Sequence, residues 1–248
     1  MSLFLGYDME PGLIPLVVGV ASTAEGLEKA AAQASVPCDV VEIRLDLIGE
    51  DSCDWPVAAL HLTQAGIGTL LTIRHVSEGG RWTGDEAARL DLYARSLSHV
   101  TGVDVELCSE ILPDLVAAAK GRVTVIGSHH QFRSMPTTAD LQKVVREGQT
   151  AGVDVIKLAA YATDKPELNR LLQVMKQNPD ARICTLAMGP MGASSRIDLP
   201  LAGSCLTYGF LDKATAPGQP SAKDIREQLM TRHEEYRIFA EIRAGLGE

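Results

Sequence analysis

Residues 152–161 read GVDVIKLAAY, an apolar run interrupted by one ammonium, Lys157. Stranded in a buried strand, such a charge is strongly unfavourable, so it needs a partner or a task. Among apolar groups or other cations an amine is pushed toward its neutral form and can add to a ketone. The protonated imine that results acidifies the neighbouring carbon. A histidine, with an ordinary pKa of about 6.5, is suited to take that proton and hand it to a leaving group. His129 and His130 close another apolar run, RVTVIGSHH. Adjacent strand residues point to opposite faces, so one of the two can serve. Lysine plus histidine describes elimination or aldol chemistry at a carbonyl, without metal or redox cofactor.

Further charges sit where other apolar runs end. Glu42 and Arg44 are two apart and share a face, Arg74 ends GTLLTIR, Asp104 and Glu106 lie in GVDVEL, and Arg196 follows ARICTLAMG. The plain reading of Glu42, Arg44, Asp104 and Glu106 is a structural layer of ion pairs filling the interior, with Lys157 paired to Glu106, and that of Arg196 is an ordinary surface residue. Their functional reading is a charged pocket in which Arg44, Arg74 and Arg196 ring Lys157 and keep its amine reactive.

The elements that position these groups form a regular series. Strand-like runs recur at 16–22, 39–47, 68–74, 102–107, 122–130, 152–160, 181–189 and 204–211. Between them lie stretches of helical periodicity, such as DEAARLDLYARSL, TADLQKVVREGQ and KPELNRLLQVMKQ, and the chain closes on SAKDIREQLMTRHEEYRIFAEIRAGL. Strands apolar on both faces suit a parallel sheet covered by helices. Eight units of about 30 residues match an α/β fold of the closed (β/α)8 TIM-barrel type, one domain over 1–248. A doubly wound open sheet is the alternative, but no GxGxxG follows the first strand. Residues 1–13 precede the first strand and are expected to cap the barrel. In such a barrel, chemistry gathers where strands end and βα loops begin.

Composition restricts the function. The chain has 248 residues, a hydrophobic fraction of 46% and a net charge of -9, which argues against a surface built for nucleic acid or anionic lipid. Five cysteines without a CxxC pair suggest neither a disulfide framework nor a zinc site, and fit a reducing compartment. No stretch approaches the roughly 18 uninterrupted apolar residues of a membrane span, and the expected location is cytoplasmic.

The segments VEIRLD (41–46), TIRHVSEGG (72–80), IGSHHQF (126–132), VDVIKLA (153–159), MGPMGASSR (188–196) and ATAPGQ (214–219) resemble, in order and spacing, the type I 3-dehydroquinate dehydratases. The resemblance implies a cofactor-free lyase of the shikimate pathway that eliminates water from 3-dehydroquinate to give 3-dehydroshikimate. It makes Lys157 the Schiff-base lysine and, through the pattern SxHxF, selects His130 over His129 as acid and base. Glu78 becomes the carboxylate that orients this histidine; without the resemblance it would be an ordinary carboxylate in a glycine-rich turn. Arg196 matches the clamp for the substrate carboxylate, a task suited to a planar fork. Glu42, Arg44 and Arg74 match residues that bind the ring hydroxyls and tune the site's charge. Gln219 matches the glutamine of a loop that folds over the ring, with Gly218 allowing movement. Thr215 stands where serine is common and is expected to supply an equivalent hydroxyl. Barrels of this family commonly pair as homodimers.

Two other functions share some of these features. A class I aldolase-like barrel shares lysine and fold, but calls for a phosphate site in the loops after strands seven and eight. A non-catalytic barrel that only binds a ligand predicts loss of the lysine or the histidine, and both are present.

Overall fold

The computed structural model describes residues 14–33, 35–214 and 219–245. Eight strands follow the expected runs: β1 Leu16–Ala21, β2 Val40–Arg44, β3 Gly68–Thr72, β4 Gly102–Glu106, β5 Thr124–Gln131, β6 Val155–Tyr161, β7 Ile183–Met188 and β8 Leu206–Phe210. All paired neighbours are parallel, in the order β7-β6-β5-β4-β3-β2-β1-β8. At the seam between β7 and β8 the Cys205 N–H donates to Ile183 O at 3.1 Å, and Ser204 Oγ accepts from the Thr185 N–H at 2.9 Å. The eight strands thus make a nearly closed (β/α)8 barrel.

Among the described residues ten α-helices accompany them: α1 Ala24–Ala32, α2 Leu45–Ile48, α3 Trp55–Gln64, α4 Glu86–Ser96, α5 Leu112–Ala119, α6 Thr138–Ala151, α7 Lys165–Lys176, α8 Gly192–Asp198, α9 Ala222–Arg232 and α10 Glu234–Gly245. Half of them start on a side-chain cap: Thr23, Asp54, Thr137, Asp164 and Ser221 each accept an N–H of the first turn. No helix among the described residues is long and apolar enough to cross a membrane. The expected cap at 1–13 lies outside the described residues.

Two boundaries differ from the sequence expectation. The run 39–47 is strand only to Arg44; there the Arg44 fork grips Asp46, two residues on, and the chain turns into α2. The closing helical stretch is broken at His233, whose extended backbone (φ -126, ψ 103) separates α9 from α10. The break lets Tyr236 and Arg243 of α10 join Arg226 of α9 around the fully buried Asp39 beneath β2.

Period-two alternation sorts the strand residues. Leu16, Val18, Val40, Leu70, Ile126, Val155 and Leu206 share one buried cluster inside the barrel. Outward residues such as Val41, Leu71, Val103 and Val125 pack beneath the helices in another. Counting on by twos from the inner set reaches Glu42 and Arg44 on β2, Ser128 and His130 on β5, and Lys157 on β6. The barrel is apolar below and charged toward the strand C-termini.

Candidate active site

At that end lies a cavity of about 940 Å3. Glu42, Arg44, Arg74, Glu78, His130, Lys157, Arg196 and Gln219 all line it, so eight of the nine residues expected from the sequence face one space. The ninth, Thr215, lies outside the described residues, as does Gly218.

Lys157 is 5% exposed, and its neighbours correct two expectations. Its Nζ donates to Asp104 Oδ2 at 2.9 Å and lies 4.0 Å from Glu42 Oε1; Glu106 is not its partner. Nor is the amine simply ringed by cations, because a carboxylate and the face of Tyr208, whose ring centroid is 4.0 Å away, lie against it. Register alone would favour Glu106, which pairs with Ser128 of β5 as Ser128 pairs with Lys157, whereas Asp104 pairs with Ile126; but both Glu106 oxygens are taken by Arg74, the His75 N–H and Arg89, and Asp104 Oδ2 receives the ammonium. Glu106, closer to the rim, is held elsewhere.

Arg74 anchors this layer. Its two terminal nitrogens donate to Asp104 Oδ1 (2.8 Å), Glu106 Oε1 (3.0 Å) and Ser128 Oγ (2.6 Å). Glu106 Oε2 accepts from Arg89 of α4 at 2.8 Å, and Thr72 Oγ1 donates to Glu42 Oε1 at 2.7 Å. Glu42, Asp104 and Glu106 therefore interlock with Arg74, Arg89 and Lys157, three carboxylates with three cations. Burial would raise Asp104, but Arg74 and Lys157 hold it well below the usual carboxylate range. Arg74 is thus part of the site's buried electrostatic floor, not only its wall. Arg44 lines the cavity with its fork on Asp46 (2.9 and 2.8 Å), and Asp46 also accepts the Arg81 N–H.

His130 points inward and His129 outward, consistent with their alternation on β5. The Glu78 Oε2 atom accepts the His130 backbone N–H at 3.0 Å and lies 2.8 Å from ring Nδ1. An ionised carboxylate can only accept, which places the ring proton on Nδ1 and leaves Nε2 as the basic nitrogen. Burial, with the cations Arg74 and Lys157, pushes His130 well below its ordinary range, so the ring rests neutral. Phe132 stacks on it, with centroids 6.0 Å apart. The other Glu78 oxygen accepts from the Cys108 thiol at 3.3 Å. Burial raises Glu78, while Cys108 and Arg74 pull it back. Burial and Glu78 push the thiol up to about 11, which keeps it a donor.

The two glycines after Glu78 are sterically required. Gly79 has φ +77, and a Cβ there would fall 2.6 Å from the Phe132 ring. At Gly80 a Cβ would fall 1.9 Å from the Arg74 carbonyl oxygen. The motif EGG thus lets the chain turn tightly enough to aim Glu78 at His130.

Arg196 sits on α8. It donates from Nε to Tyr208 O (3.1 Å) and from Nη1 to Ala187 O (2.8 Å), and no carboxylate pairs with it among the described residues. Burial pushes it down to about 10. A guanidinium held against a cavity without a counter-charge is a receptor for an anion. Arg89, Cys108 and Tyr208 received no role from the sequence, and Asp104 only that of a member of a structural ion-pair layer. Asp104 was visible as a charge in a strand, but Arg89 reaches in from a helix, and Cys108 and Tyr208 carry no signal of type or spacing.

Residues 14–236 match the family model for type I 3-dehydroquinase. The chain is 32% identical over 217 residues to a 3-dehydroquinate dehydratase of Methanosarcina barkeri, covering 83% of this chain and 90% of that protein. The type I 3-dehydroquinate dehydratase of Clostridium difficile superposes with a TM-score of 0.80 at 25% identity, over 92% of this chain and 96% of that one. The 3-dehydroquinate dehydratase of Aquifex aeolicus gives 0.76 at 28% identity, over 88% and 99%. With a family model spanning most of its length and relatives matched nearly end to end, the chain belongs to the type I 3-dehydroquinase family.

Proposed function

We propose that this protein is a 3-dehydroquinate dehydratase acting through an imine on Lys157, with His130 as acid and base and Glu78 orienting it. One observation carries the assignment of roles: Lys157 and a neutral, carboxylate-held His130 open from adjacent strands into the same cavity. The nitrogen gives up a proton, adds to the C3 ketone and expels the carbonyl oxygen as water, leaving a C=N bond with positive charge on nitrogen. His130 Nε2 then takes a proton from C2, and the C–H electrons form an enamine that neutralises the nitrogen. The ring hands that proton to the hydroxyl on the next carbon. As the C–O bond breaks, water leaves, the iminium returns, and hydrolysis frees 3-dehydroshikimate and the lysine. Glu78 stabilises the imidazolium formed midway.

Arg196 binds the substrate carboxylate, since its fork meets no carboxylate of the described chain. Glu42 and Arg44 meet the ring hydroxyls, Arg74 sets the charge beneath them, and Thr215 and Gln219 close over the ring. The enzyme acts in the cytoplasm as a homodimer; its cysteines, all free, suit a reducing compartment. Light scattering at working concentration tests the dimer, with a monomer mass as the contrary result. The activity itself is tested by adding 3-dehydroquinate and following the enone absorbance of the product. A steady rise is expected; none with dehydroquinate, but turnover of a sugar phosphate, would favour the aldolase reading instead.

A further inference from the structure

The chemistry above places a positive charge on Lys157 Nζ more than once, and two groups lie against that atom. One is Asp104 Oδ2 at 2.9 Å; the other is the Tyr208 ring, with its centroid 4.0 Å away. Tyr208 points inward from β8, is 4% exposed and lines the cavity. Its hydroxyl has no hydrogen-bond partner among the described residues. A buried phenol that bonds to nothing is unfavourable, so hydrogen bonding does not account for this residue here. What it offers Lys157 is a ring face.

We propose that the Tyr208 ring carries part of the positive charge of the reacting nitrogen and so favours the iminium over the neutral adduct that precedes it and the neutral enamine that follows it. The inference rests on Lys157 forming the imine. An aromatic face within about 6 Å attracts a cation, more strongly as water is excluded. Asp104 cannot do this alone. An ammonium has three N–H donors and a protonated imine has one, so hydrogen-bond capacity at nitrogen falls as the reaction proceeds. Asp104 is also shared with Arg74 and Ser128. The ring needs no N–H and keeps its attraction at every charged stage. Burial, then Cys184 and Glu42, push the Tyr208 hydroxyl well above its usual range, so the ring remains a neutral phenol.

The test replaces Tyr208 with phenylalanine, then with phenylalanines bearing one, two and three fluorines installed by nonsense suppression. Shape changes little along the series while the negative potential of the ring face falls stepwise. Tyr208→Phe, which removes the orphan hydroxyl, is expected to raise Tm. From phenylalanine to the trifluoro form, the steady-state fraction of enzyme trapped on Lys157 by borohydride with 3-dehydroquinate should fall by about tenfold, with Tm held. Trapping that ignores fluorination in folded proteins overturns the role of the ring alone. No adduct even in the unmodified protein overturns the imine, and the ring's role with it.

Discussion

Replacing Arg196 with methionine probes how the site selects an acid substrate. The side chain enters the cavity already desolvated, since burial alone accounts for its fall to about 10, so a bound carboxylate gains a partner without first stripping water from the cation. Truncating one member of a buried charge pair costs about 2–5 kcal/mol. Here two of the three guanidinium nitrogens, Nε and Nη1, are committed to the carbonyls of Tyr208 and Ala187, leaving one end for the ligand. That places the loss in the lower part of the range, about 2–3 kcal/mol, or about 30- to 150-fold in KM. Those two carbonyl bonds tie β7 to β8, so Tm must be measured alongside. The decisive assay compares 3-dehydroquinate with an analogue whose carboxylate is reduced to an alcohol. The unmodified protein should prefer the carboxylate by the full factor, and the variant by little. A folded Arg196→Met protein that keeps the whole preference would refute the clamp.

Three other perturbations separate the remaining roles. His130→Asn should cut kcat by about 10^2- to 10^4-fold while borohydride still traps substrate on the protein; loss of trapping would show that His130 is needed for the imine itself. Asp104→Asn removes a fully buried carboxylate whose folded pKa is depressed by Arg74 and Lys157. Such a group stabilises the fold above the ordinary carboxylate range near pH ~4 and ceases to do so as pH falls through its folded value. The variant should therefore be about 3–5 kcal/mol less stable at pH ~7, with the gap narrowing below pH ~4; denaturant unfolding at both pH values checks this, and a constant gap contradicts it. Cys108→Ala removes the donor that holds Glu78 ionised against burial, Glu106 opposing and Arg74 and the His130 N–H assisting. The acid limb of the kcat/KM profile should then move to higher pH, with Cys108→Ser restoring it; an unmoved limb would leave Cys108 without influence on the pair.

The barrel was legible because its signal is repeated: each strand is apolar on both faces and each is followed by a helix. The inward set follows from counting by twos, which is why Lys157, His130, Glu42 and Arg44 were found in one cavity. Partnership was less legible, because it depends on which donors from other elements compete for each carboxylate. Lys157 meets Asp104 although register sets Glu106 level with it through Ser128, because Arg74, the His75 N–H and Arg89 already hold both Glu106 oxygens, a competition that no local pattern carries. Arg89 was hidden by its helix, where a charged residue ordinarily faces solvent; here it is 1% exposed and completes the buried charge layer. Tyr208 read as one more residue of an apolar strand, and only its place beneath Lys157 gives its ring a chemical meaning. The end of β2 at Arg44 likewise depends on a side-chain contact, the fork on Asp46, that periodicity cannot express.

Every role assigned above depends on Lys157 forming a covalent imine with the substrate. Borohydride reduction of the protein mixed with 3-dehydroquinate, followed by peptide mass spectrometry, tests it most directly. A reduced adduct is expected on the peptide containing Lys157, and none in Lys157→Met. Full turnover with no adduct at Lys157, or an adduct on another lysine, would contradict it.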